Sequence, residues 1–278
     1  MSGVHRGGWR PARCGPGRPY DVPVTESLSP AGVDFFEVHR LRLREVGAPQ
    51  VSPEEEAVGD RVWDKAVRAN PSLFDGPVVA CAGLEWEGPH SLVLSWARVT
   101  YRHYALRRVP GCVSWLPSLF VSVVQATDDG RVLVARMSSS TAAPGRWQLP
   151  GGSVEPPGEG GVLDAGGVRG NAARELAEEI GVEVPPERLP LWAVTRGENR
   201  SIGLVHTAPA LPGAVLRRCF AGVTAADRAR GVVSELDRIA LIGSVAELGE
   251  LDGPHADYLE PIVRRFLEGW GPGGKRTV

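Results

Sequence analysis

Three glutamates, Glu175, Glu178 and Glu179, stand at helical spacing directly downstream of a glycine-rich turn, and this pairing constrains the chain more than any other feature. Positions i, i+3 and i+4 project from one face of a helix. Three acids crowded there repel one another unless a cation sits among them. Arg174 offsets part of the repulsion, since it lies four residues before Glu178. Ala172, Ala173, Leu176, Ala177 and Ile180 supply the apolar face that holds such a helix on a core. Asn171 is the expected N-cap and Gly181 the expected left-handed residue closing the helix. Upstream, Leu149-Pro150-Gly151-Gly152-Ser153-Val154-Glu155-Pro156 reads as a turn carrying Glu155 and Glu159 towards the acidic face. A solvated Glu-rich surface would explain the helix alone; it does not explain the turn placed immediately before it. An all-oxygen donor set of this kind suits Mg²⁺ or Mn²⁺, which keep part of their water shell and take further ligands from a substrate phosphate.

The segment resembles the signature box of the Nudix hydrolases. That pattern is Gly, five residues, Glu, seven residues, Arg-Glu, an aliphatic, any residue, Glu-Glu, any residue, Gly, an aliphatic. Gly152 fits its start, and Arg174, Glu175, Leu176, Glu178, Glu179, Gly181 and Val182 fit its close. The middle departs from it. Six residues precede Glu159 and fourteen separate Glu159 from Arg174, so the box is eight residues too long. The excess is Gly-rich, and the expectation is a loop over about residues 160–170 ahead of a helix starting near Asn171. Asp164 also falls within reach of the site on this reading. The resemblance implies that Glu175, Glu178 and Glu179 hold Mg²⁺, with Mn²⁺ as substitute. The Gly151 or Gly152 carbonyl and Glu159 would be further ligands, and Arg174 would position the acids. It further implies a general base, for which Glu235 leads, followed by Glu155 and Glu159.

The remaining chain divides into a basic Gly/Pro/Arg tail (1–30), an N-terminal α/β segment (31–113), a hydrolase domain (114–270) and a short tail (271–278). In the N-terminal segment Leu41 and Leu43 mark a strand. Ser52-Pro53-Glu54-Glu55 is a capping box opening a helix that stops near Asn70-Pro71. Pro77–Trp86 and Ser91–Val99 read as a strand pair. In the second part, strands are expected around residues 120–135, at Trp147-Gln148-Leu149, and over 189–195, 202–207 and 238–242. A helical or looped insertion is expected over 223–233 and an amphipathic helix over 257–270. Strands, one crossing helix, more strands and a closing helix make an α/β/α sandwich with the N-terminal segment packed on it.

Asn70 to Gly76, two strands, and then Thr100-Tyr101-Arg102-His103-Tyr104 resemble the N-terminal part of the UDP-glucose diphosphatase branch of that family, whose members also carry a lengthened box. The implied reaction is cleavage of a UDP-sugar to UMP and sugar 1-phosphate. Alternatives are a diphosphatase acting on ADP-ribose, NADH or dinucleoside polyphosphates, and a non-catalytic module that senses a nucleotide sugar. Arg196, Asn199 and Arg200 form a turn suited to phosphate and hydroxyl groups, and Tyr101 or Trp147 could stack on a base. A net charge of −2 argues against a nucleic-acid or membrane-surface partner. Four widely spaced cysteines, with no apolar run long enough for a membrane span, suit a reduced cytoplasmic protein acting on a small-molecule nucleotide. A homodimer is compatible with the sequence.

Overall fold

The computed structural model describes residues 32–269. The two tails, Cys14 and Trp270 lie outside the described residues. The strands are β1 (Asp34–Phe36), β2 (Arg40–Glu45), β3 (Pro77–Gly88), β4 (Ser91–Thr100), β5 (Leu119–Thr127), β6 (Val132–Met137), β7 (Trp147–Gln148), β8 (Leu191–Arg196), β9 (Ile202–Leu211) and β10 (Leu236–Ile242). The helices are α1 (Pro53–Ala69), α2 (Ala165–Ile180), α3 (Gly213–Ala229), α4 (Val245–Gly249) and α5 (Leu259–Gly269).

The large sheet runs β1-β8-β9-β5-β6-β10, with β7 paired to β6; the small sheet runs β2-β4-β3. Central β5 shows why two helical layers form. Its Leu119, Val121 and Val123 enter one core, and its Val124 and Ala126 enter the other, as the two-residue period of a strand buried on both faces requires. The first core takes Val168, Ala172, Leu176 and Ile180 of α2 and Leu216 of α3. The second takes Leu248 of α4 and Leu259, Ile262, Val263 and Phe266 of α5. The result is the expected α/β/α sandwich.

The small sheet shares the first core through Val79, Cys81, Leu92, Leu94 and Trp96. Backbone hydrogen bonds tie the junction, from Val79 N to Val154 O at 2.8 Å and from Cys81 N to Pro117 O at 2.9 Å. The N-terminal segment goes further than packing, because β1 joins the large sheet antiparallel to β8. The capping box forms at Ser52 and Glu55 as the sequence indicates.

Three expectations need correcting. Helix α2 starts at Ala165, so it already runs through Gly166-Gly167, and its N-cap is Asp164, whose carboxylate accepts from Gly167 N at 2.8 Å. Glycine weakens a helix by about 1 kcal/mol per residue. Here the cap and the burial of Leu163 and Val168 overcome that cost, and part of the box's excess length becomes helix. Next, Tyr101–Arg108 is a 3-10 helix following β4, and α3 begins at Gly213, ten residues before the expected insertion. Last, Asn171, the expected N-cap, lies inside α2 instead of at its start.

Candidate active site

The turn before α2 is built so that only glycine serves. Gly151 has φ +148°, and a Cβ there would lie 2.1 Å from the Val121 carbonyl oxygen. A Cβ on Gly152 would lie 2.8 Å from the Glu175 carboxylate. The turn is pinned to β5 from both sides, with Val121 N donating to Gly152 O and Val123 N to Pro150 O, each at 2.9 Å. Gly152 O thus already accepts one hydrogen bond from β5. Gly151 N donates to Glu179 Oε2 at 2.7 Å, locking turn and helix together.

On α2, Glu175 and Glu179 are buried at 9% and 7% exposure, while Glu178 is exposed. Arg174 lies among the acids, 2.8 Å from Glu178, 3.0 Å from Glu175 and 3.1 Å from Glu155. Gly181 ends the helix at φ 76°, as expected. Burial pushes the Glu175 carboxyl up to about 7 against the pull of Arg174, with Glu235, Glu178 and Glu155 adding to the rise. Burial also drives Glu179 well above the usual carboxylate range, helped by Glu175 and, less, by Glu235 and Glu178, against the Gly151 hydrogen bond. One arginine shared by Glu155, Glu175 and Glu178, with Glu179 buried beside them, leaves a surplus of negative charge. An all-oxygen, anionic cluster of that kind fits a hard divalent cation.

Glu235, exposed just before β10, contributes to the charge felt by both buried acids. Its carbonyl accepts from Ser138 N at 2.7 Å, which fixes the loop. Glu155 stays with the cluster through Arg174, and its N–H donates to Asn171 Oδ1 at 2.9 Å. Asn171 is therefore a clasp inside the helix, since its Nδ2 also donates to Gly167 O at 3.0 Å. Asp164 is spent on capping. Glu159 sits exposed on the Gly158–Gly161 turn, outside the Arg174 network, so the pairing of Glu155 with Glu159 does not hold.

The expected substrate contacts fare differently. Arg196 is held by Asp34, with Nε to Oδ2 at 2.7 Å, and lies over the Phe36 ring; it clamps β1 to β8. Trp147 is fully buried and donates its indole N–H to Asp252 O at 2.8 Å, so no ring face remains for a base. Tyr101 packs edge-on against Trp63 and Tyr104 at centroid distances of 6.2 and 5.5 Å, within the N-terminal segment's own packing. Asn199 and Arg200 adopt left-handed backbone, and the Arg200 guanidinium lies 6.0 Å from the Trp115 centroid.

Two buried groups escaped sequence reasoning. Arg146, just ahead of β7, donates from Nη2 to Gln148 Oε1 at 3.1 Å, while its Nε is buried without a partner. Burial pushes the Tyr258 phenol up to about 12, and both Arg146 and Glu179 act on it electrostatically. The signal for Arg146 was its place two residues before the strand's last member; nothing in the local pattern marked Tyr258.

Residues 118–228 match the family described as the NUDIX domain, a range taking in β5, the glycine turn, α2 and α3. Among solved structures, the chain is similar to the MutT protein from Methanosarcina mazei Go1, with 19% identity over 56% of this chain and 97% of that one and a TM-score of 0.36. It is similar to DR0079 from Deinococcus radiodurans, with 15% identity over 68% and 98% of the two chains and a TM-score of 0.37. It is also similar to the NUDIX hydrolase from Nitrosomonas europaea, with 17% identity over 55% and 86% and a TM-score of 0.31. A search among curated proteins finds no match. The stretch matched to that family thus includes the acidic helix with Glu175, Glu178 and Glu179 in place.

Proposed function

We propose that this chain is a Nudix-type enzyme that cleaves nucleoside diphosphates linked to a second group, with UDP-sugars the preferred substrates and UMP plus sugar 1-phosphate the products. The observation that carries the reaction class is the buried pair Glu175 and Glu179, closed against the Gly151-Gly152 turn and bridged to Glu178 and Glu155 by Arg174. The sugar-nucleotide preference is supported by the N-terminal segment, which shares the core under α2.

A diphosphate resists hydroxide because its own charge repels it, so the site must neutralise, orient and deprotonate. Glu175, Glu178 and Glu179, with the Gly151 carbonyl, would hold Mg²⁺. When bound, the ion neutralises the diphosphate oxygens and lowers the cost of attack at phosphorus. Arg174 keeps the acids at fixed separation. Glu235 lies across from α2, and its carboxylate takes the proton from the attacking water. Arg146, whose Nε has no protein partner, contacts the substrate phosphate in place of Arg196.

A second reading keeps this chemistry and loosens the base. The packing of Trp147 and Tyr101 removes both expected stacking surfaces, which favours a broader enzyme that also takes ADP-ribose or NADH. The sensing module is disfavoured because every box-helix glutamate is retained. The test is a panel of UDP-glucose, UDP-galactose, ADP-glucose, GDP-mannose, ADP-ribose and NADH, with Mg²⁺ and then Mn²⁺, followed by mass balance. UMP and sugar 1-phosphate should form in excess over the purine reactions. Equal rates on ADP- and UDP-sugars would establish the broader reading, and tight binding without cleavage would return the sensor.

A further inference from the structure

We propose that Glu37, His39 and His90 form a second metal site that takes a first-row transition ion, Zn²⁺ foremost, and ties the β1–β2 connection to the β3–β4 turn.

The placement follows from the backbone. Glu37, Val38 and His39 link β1 to β2 as an alternating stretch. Val38 is buried at 4%, so its two neighbours are turned outwards on the same side. His90 lies in the turn between β3 and β4. The parallel register that sets Arg40 opposite Ser91 brings it beside His39. The backbone holds this juxtaposition directly, since His39 N and Arg40 N both donate to His90 O, at 2.9 and 3.1 Å.

The three side chains already converge. One ligand atom from each lies within 4.8 Å of the other two. His39 Nε2 is 3.1 Å from Glu37 Oε1, and the two imidazoles lie with centroids 4.4 Å apart and planes inclined at 26°. An ion about 2.1 Å from each ring nitrogen, with the nitrogens at a right angle, places the two centroids about 4.5 Å apart. The centroid spacing already matches, and rotation of one exposed ring about its Cβ–Cγ bond would bring both ring planes onto one ion. His90 Nδ1 lies 3.3 Å from the Glu37 carbonyl oxygen. When that nitrogen carries the proton, Nε2 is left as the ligand, the kind of outer contact that orients metal-binding imidazoles.

The donor set separates this site from the box helix. Two imidazoles and one carboxylate suit Zn²⁺, Co²⁺, Ni²⁺ or Cu²⁺, whereas all-oxygen clusters suit Mg²⁺. The exposed position leaves the remaining coordination places to water. Occupancy fastens the passage between the two sheets, a structural role independent of hydrolysis.

The experiment titrates Zn²⁺ alone into the full chain by calorimetry, alongside His90→Ala, His39→Ala and Glu179→Gln, and follows melting in each case. Wild type and Glu179→Gln should share one Zn²⁺-binding event that both histidine variants lose, with a Tm rise of about 4 °C at saturation that is reduced in His90→Ala. Mg²⁺ should not substitute, and His90→Ala should hydrolyse substrate with Mg²⁺ at the wild-type rate. Zn²⁺ stoichiometry and affinity unchanged in both histidine variants would overturn the site. So would Mg²⁺ competing with Zn²⁺ for the histidine-dependent event. Because the readout is binding and melting, failure of the hydrolase assignment would leave this result standing.

Discussion

Helices α1 and α2 each carry three glutamates, and the two sets sit at opposite ends of their helices. In α1, Glu54, Glu55 and Glu56 fill the first turn, where the positive end of the helix dipole favours them. Glu55 also closes the capping box, with Glu55 N to Ser52 Oγ and Ser52 N to Glu55 Oε2 both at 3.2 Å. In α2, Glu178 and Glu179 lie in the last turn with Glu175 just before it, and no basic residue occupies that turn. There the dipole opposes negative charge, two of the acids are buried, and neighbouring carboxylates raise the cost of ionising both. Acids placed where folding favours them need no further explanation. Acids placed against every folding preference point to chemistry.

The sharpest way to break this contrast is Glu179→Gln. It should reduce kcat by roughly 10²- to 10³-fold, the scale seen when one charge-stabilising group is removed. The metal-free protein should unfold no more easily than wild type, because a buried repulsion is relieved. Near-normal turnover at saturating Mg²⁺ would remove α2 from the reaction and leave its acids as unexplained as any surface patch.

A pH measurement comes next in size. The folded Glu175 carboxyl titrates at about 7, above the ordinary 4.5. Between those values the folded protein holds a proton that the unfolded chain has released. The associated stability is fully present below about 4.5 and is lost as pH rises through 7. The rise corresponds to on the order of 3 kcal/mol. Comparing metal-free wild type with Glu175→Gln by urea melts isolates the effect, since the variant should lack this part of the pH slope. Saturating Mg²⁺ should flatten the difference by favouring the ionised form. Identical slopes in the two proteins would mean that Glu175 is not enclosed as described.

The contrast also explains what the sequence could and could not reveal. Periodicity and charge identify Glu175, Glu178, Glu179 and the flanking Gly181 because all are local on one helix. The sandwich is legible for the same reason, through alternation in strands such as β5. Arg196 and Trp147 were misread because their partners, Asp34 and Asp252, are distant in sequence and no local pattern announces a long-range clamp. Tyr258 was missed on the same ground, since Glu179 and Arg146, which act on it, are distant in sequence. The start of α2 was misread because glycine propensity was weighed without the Asp164 cap and the burial of Val168.

On the α1 side the matching change is Ser52→Ala, which removes the side-chain acceptor for Glu55 N. Loss of such a cap costs about 1 kcal/mol. Chemical denaturation should show that decrease while kcat and KM stay at wild-type values, the reverse of the Glu179→Gln outcome. A fall in kcat with unchanged stability would put α1 in the site and dissolve the distinction between the two helices.

The smallest effect tests the helical assignment of the lengthened box. Gly170 lies inside α2, with ordinary helical backbone and no atom within 4 Å of where a Cβ would stand. Alanine there should stabilise the protein by about 0.5–1 kcal/mol, because it restricts the unfolded chain and meets nothing in the folded one. Gly151 is the control. There φ is +148° and the Val121 carbonyl blocks any side chain, so Gly151→Ala should destabilise strongly. The two glycines flank the same insertion and are expected to respond with opposite sign. If Gly170→Ala is neutral or destabilising in urea melts, residues 165–170 do not form a helix in solution, and the first turns of α2 revert to the loop that their composition suggests.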